Sequence, residues 1–275
     1  GASGSAGYWM RDRSPTGAST ERRAGTGRVV AAADGAIGWL SFDSPGRRNA
    51  VSLAMWEAIP GLVGELEADP RIRVLALRGA GEEGFASGAD ISEFDTVRHG
   101  PGAAARYEEA FLRAANALGD SRLPVVAMIR GGCVGGGLAI ALWADLRLAG
   151  EDAVFSIPAA RLGLGLAPEA CDRLVGTVGE PRAKEILFTA GRFDARRAEA
   201  IGLVHRVVPP ADLESAVREL CGTLAANAPL TIRAAKSFLG GSRDPGLVRA
   251  CFESEDWAEG RSAFAQKRRP EFRGR

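Results

Sequence analysis

One stretch, residues 124–149, limits what this chain can fold into more than any other part of the sequence. It opens with a proline and a short apolar run over residues 125–129, rich in β-branched side chains, which is typical of a buried strand. Residues 130–137 then read RGGCVGGG, and residues 138–143 read LAIALW, a segment that favours a closely packed helix. The glycines between strand and helix indicate a place where the backbone approaches another group very closely.

Two interpretations of this glycine-rich run remain open. A strand that enters a helix through glycine presents free N–H groups at the positive end of the helix dipole, which suits an anion. The alternative is a tight packing turn. The run matches the dinucleotide-binding pattern Gly-x-Gly-x-x-Gly only loosely, and it does not match the P-loop, because Leu138 stands where that motif needs lysine.

The composition is that of a soluble globular protein. With 275 residues, 46% hydrophobic and 25% charged, the chain can bury a full core. A net charge of +1 gives no general attraction to nucleic acid or membranes, and no apolar run approaches the roughly 18 residues of a membrane span. The four cysteines and two histidines lack metal-ligand spacing, which predicts no metal site and fits a reducing cytoplasm.

Strand and helix patterns organise the chain without a linker. Residues 1–27 have no hydrophobic period, so we expect a disordered arm, with the residues ahead of Met10 belonging to a tag. From residue 28 strands alternate with helices, beginning with an Asp34-Gly35 hairpin and a helix over 52–68 that Ser52 caps. From residue 180 the patterns are helical, over 181–190, 195–201, 213–227, 230–239 and 246–257, with only 204–208 extended and a basic tail at the end.

Several blocks, in order along the chain, resemble the crotonase family of enoyl-CoA hydratases and isomerases. Residues 84–94 read GFASGADISEF after a strand pattern at 73–78, and the glycine-rich run completes a second block at 129–137. Further blocks are RNAVS at 48–52, FSIP at 155–158, AGRF at 190–193 and AIGLV at 200–204. The resemblance extends from about residue 29 to residue 272.

This resemblance implies a fold and an assembly. The fold is α/β, a crotonase-like spiral of β-β-α repeats over residues 28–205 with a helical C-terminal trimerisation region over 206–275. The assembly is a homotrimer or a dimer of trimers, and the partner is an acyl-CoA substrate. No cofactor is implied apart from the coenzyme A of the substrate thioester, and neither nucleic acid nor membrane is implied as a partner.

The resemblance also implies the site residues. The N–H groups of Ala89 and Gly136 would stabilise the oxyanion of a thioester enolate, a role in which each lost donor costs roughly 10²–10³ in rate. The positions that match coenzyme A contacts are Arg48 and Ala50 near the pantetheine and phosphates, Ala86, Asp90 and Ile91 around the adenine, and Phe264 and Lys267 on a neighbouring subunit's coenzyme A. The alternative is that Arg48 and Lys267 belong to solvated surface charges.

Two departures from the family pattern concern proton transfer. Hydratases of the family carry one glutamate two residues after the triple glycine and another just after the FxxP block, where this chain has Ala139 and Ala159. A positioned acid or base contributes about 10²–10⁴ in rate, so ordinary hydration with the usual pair is excluded. The nearest replacement is Glu169, in the acyl-facing loop of relatives, although an acid after Pro168 is also typical of a helix start.

Three further residues are weaker candidates for catalysis. Asp145 follows the core helix and is expected to make a buried hydrogen bond. Cys133 has no histidine beside it, which argues against a nucleophile. His99 lies in a polar connector, where it would act only as part of a lid.

The sequence thus predicts a cytoplasmic acyl-CoA-binding enzyme of the enoyl-CoA hydratase/isomerase family, a lyase or isomerase of fatty acid metabolism. It would stabilise a thioester enolate in a backbone oxyanion hole while lacking both usual glutamates. Isomerisation, hydration by a displaced base, decarboxylation and thioester hydrolysis all share that enolate. The alternative from another class is a catalytically silent acyl-CoA binding protein. RNA binding is disfavoured because the helix pattern at 103–118 carries only Arg106 and Arg113 as basic residues.

Overall fold

A mixed seven-stranded sheet forms the centre of the structure, a computed structural model that describes residues 21–24, 27–90 and 101–275. In chain order the strands are β1 (Glu21–Ala24), β2 (Gly27–Asp34), β3 (Ile37–Asp43), β4 (Val74–Gly79), β5 (Val125–Ile129), β6 (Gly132–Val134), β7 (Leu146–Gly150), β8 (Val154–Ser156), β9 (Phe193–Asp194) and β10 (Arg206–Val208). The main sheet has the order β1-β2-β3-β4-β5-β7-β10, and β6, β8 and β9 form a second, smaller sheet.

The main sheet starts from the predicted hairpin. β2 and β3 pair antiparallel around a turn at Gly35, whose φ of +59° lies in the left-handed region that favours glycine. From β3 onward the neighbouring strands pair in parallel, as far as β10 on β7. Parallel strands are covered on both faces, which explains why β5 is an unbroken apolar run that is buried throughout. The predicted α/β class is confirmed.

β1 lies in the segment that we expected to be disordered. Its residues 21–24 pair antiparallel with residues 27–30 of β2. For these four residues the expectation of disorder is wrong, since strand pairing satisfies their backbone groups. The rest of the predicted arm, residues 1–20 and 25–26, lies outside the described residues.

Helices cover the sheet and dominate the C-terminal part. In chain order they are α1 (Leu53–Ala68), α2 (Pro101–Gly119), α3 (Gly136–Ala141), α4 (Ala159–Leu162), α5 (Pro168–Val178), α6 (Glu180–Thr189), α7 (Ala195–Ala200), α8 (Leu213–Ala226), α9 (Pro229–Leu239), α10 (Pro245–Phe252) and α11 (Glu255–Gln266). The start of α1 is confirmed, because the hydroxyl of Ser52 accepts a hydrogen bond from the N–H of Met55 at 3.2 Å.

The C-terminal part differs from the prediction in two ways. The single helix predicted over 246–257 is two helices, because Ser254 stands between them and caps α11 by accepting a hydrogen bond from the N–H of Trp257 at 3.1 Å. Helix α11 then continues to Gln266, through residues expected to belong to a basic tail. The segment predicted to be extended, residues 204–208, contains β10 at 206–208, which pairs with β7.

Two buried apolar clusters lie on the two faces of the main sheet. The larger one packs α1 and α2 against the sheet and includes Trp56 and Phe111. The smaller one packs α8 against the other face and includes Trp39 and Val217. The candidate site residues Ala139 and Ala159 belong to the larger cluster, so the site lies on the α1 side of the sheet.

The side chain of one lysine links the C-terminal helices to the core through hydrogen bonds. The ammonium group of Lys236 on α9 donates hydrogen bonds to the carbonyls of Leu118 and Leu123 at 3.2 and 3.0 Å and to the carboxylate of Asp145 at 2.8 Å. The same carboxylate accepts a hydrogen bond from the N–H of Val125 at 2.7 Å. Asp145 therefore makes the hydrogen bonds that we expected, although the residue is exposed and not buried.

Candidate active site

Two loops run side by side near the carboxyl ends of β4 and β5. The N–H of Ala86, in the loop after β4, donates to the carbonyl of Gly132 at 3.1 Å, and its carbonyl accepts from the N–H of Val134 at 2.9 Å. A second bridge pairs Val51, just before α1, with Ala89 in parallel fashion. Backbone hydrogen bonds therefore connect three segments that are distant in sequence, and side chains play no part in these contacts.

Glycine is needed where these loops touch. A Cβ on Gly137 would lie 2.3 Å from the carbonyl oxygen of Ala86, much closer than real contacts allow. Gly88 has a φ of +96°, and a Cβ there would lie 3.3 Å from the amide nitrogen of Gly136. The glycine-rich run thus serves the close backbone approach that the sequence indicated.

The contact brings together the two amides that sequence comparison with the crotonase family pointed to. A Cβ placed on Gly136 would lie 3.8 Å from the amide nitrogen of Ala89, so the space between the two residues is the size of one small group. Both residues are partly exposed. Within residues 27–90 and 101–275, neither of these two N–H groups donates a hydrogen bond. Two partly exposed donors therefore lie close together.

Each of these two amides belongs to a peptide unit whose carbonyl accepts a backbone hydrogen bond. The carbonyl of Gly88, in the first unit, accepts from the N–H of Val51 at 2.8 Å. The carbonyl of Gly135, in the second unit, accepts from the N–H of Ala139 at 2.9 Å, the first hydrogen bond of α3. Because a peptide unit is planar, fixing the direction of its C=O also fixes the opposite direction of its N–H. Both donors are preorganised by the fold.

An aromatic side chain lies beside the amides. Carbon Cζ2 of Trp56, on α1, is 3.5 Å from the position of a Cβ on Gly136. The indole is fully buried, and it packs edge-to-face against Phe111 with ring centroids 5.3 Å apart. Sequence reasoning placed Trp56 only in the core. No signal in the sequence connects it to the glycine-rich run, because their contact is long-range.

The two alanines at the positions where the family resemblance implies glutamates lie close to the same amides. Ala139 is on α3, three residues after Gly136, and Ala159 follows Pro158, whose Cδ is 3.9 Å from the position of a Cβ on Gly135. Both alanine side chains are buried. Around the amides these positions present methyl groups, and neither can transfer a proton.

Glu169 lies in the first turn of α5, directly after Pro168 at position N1. Its side chain is exposed, and within the described residues its carboxylate makes no hydrogen bond or ion pair. Leu164 and Leu166, which we expected to shield it from water, are themselves exposed. The geometry of the single chain therefore matches the helix-start interpretation of this residue.

The loop that precedes α1 contains the predicted coenzyme A contacts Arg48 and Ala50. Asn49 shapes it: its side-chain oxygen accepts from the N–H of Ser44 at 3.1 Å, and its side-chain nitrogen donates to the carbonyl of Gly84 at 2.8 Å. Arg48 and Asn49 both have left-handed φ angles, of +52° and +54°. Sequence reasoning missed Asn49, although asparagine tolerates this conformation better than most residues. The loop holds the Arg48 side chain exposed to solvent.

The remaining predicted contacts fall into three groups. Asp90 is buried, and its carboxylate forms an ion pair with the guanidinium of Arg47. Phe264 and Lys267 lie at the end of α11, where the phenyl ring of Phe264 is 88% exposed. Ile91, like His99, lies outside the described residues. The structure thus brings Arg48, Ala50, Ala86, Ala89, Asp90 and Gly136 into one region of the loops, whereas Phe264 and Lys267 belong to the C-terminal helices.

Cys133 lies in β6 beside the glycines, but it is not available as a nucleophile. Its side chain is fully buried, and burial raises the pKa of its thiol well above the usual value. The thiol is therefore neutral at physiological pH. This agrees with the sequence-based argument against a nucleophilic role.

The described residues contain neither a candidate metal site nor a candidate membrane-spanning helix. No three or more His, Cys, Asp and Glu side chains come together there in a way that could hold a metal ion. Among the helices of the described chain, none combines the length and the apolar character needed to cross a membrane.

Known proteins match nearly the whole chain. The family model described as enoyl-CoA hydratase/isomerase matches residues 32–275. A short-chain-enoyl-CoA hydratase of Clostridium acetobutylicum is 30% identical over 257 residues, which cover 88% of this chain and 96% of the relative. A carnitinyl-CoA dehydratase of Salmonella arizonae is 33% identical over 264 residues, which cover 88% of this chain and 96% of that protein. The crystal structure of an enoyl-CoA hydratase/carnithine racemase from Magnetospirillum magneticum superimposes with a TM-score of 0.85 at 33% identity, covering 93% of this chain and 97% of that one.

Proposed function

The chain belongs to the enoyl-CoA hydratase/isomerase family, and from that membership and the geometry of its loops we propose that it binds an acyl-CoA thioester and stabilises the thioester enolate. The N–H groups of Ala89 and Gly136 form the oxyanion hole in this proposal. The observation that carries it is the pair of partly exposed amide donors that lie close together, each in a peptide unit whose carbonyl is hydrogen-bonded. Donors of this kind stabilise the charge that develops on a thioester oxygen as its α-carbon becomes an enolate.

The coenzyme A part of the ligand would lie along the loop before α1. Arg48 is exposed there, and with Ala50 it would contact the pantetheine and phosphates. By resemblance to the family, Ala86, Asp90 and Ile91 are assigned to the adenine. Attraction between an exposed guanidinium and phosphates is screened by salt, so affinity should fall as ionic strength rises. The thioester itself supplies the coenzyme A, and the proposal requires no further cofactor.

The assembly in this proposal is a homotrimer or a dimer of trimers in the cytoplasm. The C-terminal helices of the single chain expose large apolar side chains, including Leu239 and Phe264. Burying such side chains between copies would release apolar surface from water. In a trimer, Phe264 and Lys267 would contact the coenzyme A bound to the neighbouring subunit.

The proposed function can include a proton-transfer step or lack one. With methyl groups at Ala139 and Ala159, a base must come from elsewhere, and Glu169 is our candidate for it. We expect Glu169→Gln to abolish any turnover and to leave acyl-CoA affinity nearly unchanged, because the variant keeps the size of the side chain but loses the base. Equal turnover in the variant would show that Glu169 is not the base and serves as a negative charge that favours the start of α5.

The second candidate function is a catalytically silent acyl-CoA binding protein. The observation that favours it is the combination of two buried alanines near the amides with an exposed Glu169. A silent binder would keep acyl-CoA affinity and show no turnover with any acyl group. A panel of saturated, unsaturated and branched acyl-CoAs, followed for product formation, distinguishes it from the enzyme.

The decisive experiment isolates the thioester carbonyl. Calorimetry would compare butyryl-CoA with S-butyl-CoA, a thioether that lacks the carbonyl oxygen but keeps the coenzyme A and the alkyl chain. Two hydrogen bonds of about 0.5–1.5 kcal/mol each should make the thioester bind about one to two orders of magnitude more tightly. Equal affinity would refute the oxyanion hole, and failure of both ligands to bind would refute acyl-CoA binding.

A further inference from the structure

A buried pair of aromatic side chains connects the two halves of the candidate oxyanion hole. The indole N–H of Trp56 on α1 donates to the hydroxyl oxygen of Tyr107 on α2 at 2.8 Å. The hydroxyl of Tyr107 donates in turn to the carbonyl of Val51 at 3.1 Å. All three residues are buried. The chain of hydrogen bonds therefore runs from an indole ring to a backbone carbonyl without contact to bulk water.

One end of this chain reaches Ala89. Val51 holds the strand segment around Ala89 on both sides, since its N–H donates to the carbonyl of Gly88 at 2.8 Å and its carbonyl accepts from the N–H of Asp90 at 3.2 Å. The hydroxyl of Tyr107 binds that same carbonyl of Val51. Tyr107 thus fixes the residue that sets the plane of the Gly88–Ala89 peptide unit, and with it the direction of the Ala89 N–H.

The other end reaches Gly136. Cζ2 of Trp56 is 3.5 Å from the position of a Cβ on Gly136, which places the ring edge against the start of α3. The hydrogen bond from Nε1 to Tyr107 fixes the rotation of the indole plane. Trp56 therefore lies against the segment that contains Gly136, and Tyr107 binds Val51, which is hydrogen-bonded to the residues on both sides of Ala89.

Burial of the indole alone does not explain this hydrogen bond. Trp39 and Trp143 are almost as deeply buried as Trp56, yet their indole N–H groups have no hydrogen-bond partner in the described part of the chain. The fold therefore tolerates buried indoles without a partner at two other positions. The bond to Tyr107 is present at the indole that touches the amide pair.

We propose that Trp56 and Tyr107 are positioning residues, which hold the N–H groups of Ala89 and Gly136 at the spacing that a thioester oxygen requires. The proposal rests on the proposed function. Both act through the backbone, Tyr107 through its hydrogen bond to Val51 and Trp56 through its contact with the start of α3. If either side chain is removed, the protein should prefer a thioester over a thioether less strongly. Its contacts to the coenzyme A part of the ligand should be unchanged.

The test uses the variants Tyr107→Phe and Trp56→Phe, with Trp39→Phe as the matched control. Trp39 is a buried tryptophan in the cluster on the other face of the sheet, so its loss reports general destabilisation. All three are examined well below their melting temperatures with butyryl-CoA and S-butyl-CoA. We expect Tyr107→Phe and Trp56→Phe to lower the affinity ratio of thioester to thioether by about threefold, less than the loss of a whole donor, and to leave the affinity for S-butyl-CoA unchanged.

A second measurement needs no ligand. In the free protein, the backbone N–H resonances of Ala89 and Gly136 should move in Tyr107→Phe and stay in place in Trp39→Phe. An unchanged affinity ratio in both site variants, or unmoved resonances, would overturn the positioning role while the proposed function stands. If the wild-type protein itself shows no preference for the thioester, the proposed function fails, and the positioning role fails with it.

Discussion

Replacing Gly136 by alanine would place one methyl group in the space that we propose for the thioester oxygen. The new Cβ would lie 3.8 Å from the amide nitrogen of Ala89 and 3.5 Å from Cζ2 of Trp56, which are ordinary van der Waals distances. The variant should therefore fold. The backbone N–H of residue 136 would still be present, but the space in front of both donors would be filled.

The size of the effect follows from what each donor contributes. Losing one oxyanion donor costs roughly 10²–10³ in rate, so a group that blocks both should remove at least that much from any turnover through an enolate. In binding, the preference for butyryl-CoA over S-butyl-CoA should disappear. Stability should change little, because alanine in the first turn of a helix is favourable by up to about 1 kcal/mol relative to glycine.

Two neighbouring glycines supply matched controls for calorimetry and urea denaturation. Gly132→Ala introduces a methyl group with no atom within 4 Å, so both stability and thioester preference should match the wild-type protein. Gly137→Ala would bring a Cβ to 2.3 Å from the carbonyl oxygen of Ala86, and forced overpacking of this kind costs about 1–3 kcal/mol or more. A folded Gly136→Ala protein that keeps its thioester preference would refute the placement of the oxyanion between these amides.

Three further predictions concern proton transfer, pH and assembly. In an initial-rate assay, the double variant Ala139→Glu/Ala159→Glu should hydrate crotonyl-CoA faster than the wild-type protein by about 10² or more. The variant should also be less stable, because both sites are buried. An unchanged rate in folded protein would contradict this prediction. Burial and the charge of Arg147 lower the pKa of His205, whose Nδ1 accepts the Arg147 N–H at 3.1 Å. As the pH falls, His205 is therefore protonated in the unfolded chain before it is protonated in the folded protein, so the free energy of unfolding should decrease as the pH drops below about 6.5. His205→Asn, which keeps a hydrogen-bond acceptor at this position, should lessen that decrease in urea titrations. Light scattering at micromolar concentration should show trimers or hexamers, and Phe264→Asp should shift them toward monomers, because that ring is 88% exposed in the single chain; a monomeric wild-type protein would contradict the assembly.

Local patterns predicted the elements whose determinants are close together in the chain. The hairpin at Gly35, the cap at Ser52 and the start of α5 at Pro168 are all as expected, because each depends on a few adjacent residues. The short strand β6 inside the glycine-rich run was not predicted. It has three residues and exists because Gly132–Val134 pairs with β8, and such a distant pairing leaves no local pattern.

The same distinction between local and long-range determinants applies to the candidate site. The positions Ala89 and Gly136 came from family resemblance, and their proximity depends on backbone contacts that no periodicity reveals. The hydrogen bond between Trp56 and Tyr107 could not be predicted either, because it joins two residues that are far apart in the sequence. Exposure of Glu169 was equally hidden, because it depends on how Leu164 and Leu166 pack and not on their apolar character.

The strand order of the main sheet also has a consequence for how the chain folds. From β1 to β5 each strand pairs with the one made just before it, so the sheet can grow in step with the chain. The outer edge of β7 is different, because its partner β10 follows only after α4, α5, α6 and α7. During that interval β7 presents unpaired backbone groups, the kind of edge on which chains aggregate.

A charged residue stands on that edge. Arg147 lies in β7, and in the folded protein its guanidinium donates to the carbonyls of Leu203 and Ala144, each at 2.7 Å. Burial lowers its pKa to about 10, which leaves it charged at neutral pH. Before β10 arrives, this charge should keep β7 from pairing with other chains. Arg147→Met should therefore aggregate more than the wild-type protein during refolding from urea, increasingly so at higher chain concentration, and equal refolding yields would show that the charge has no such role.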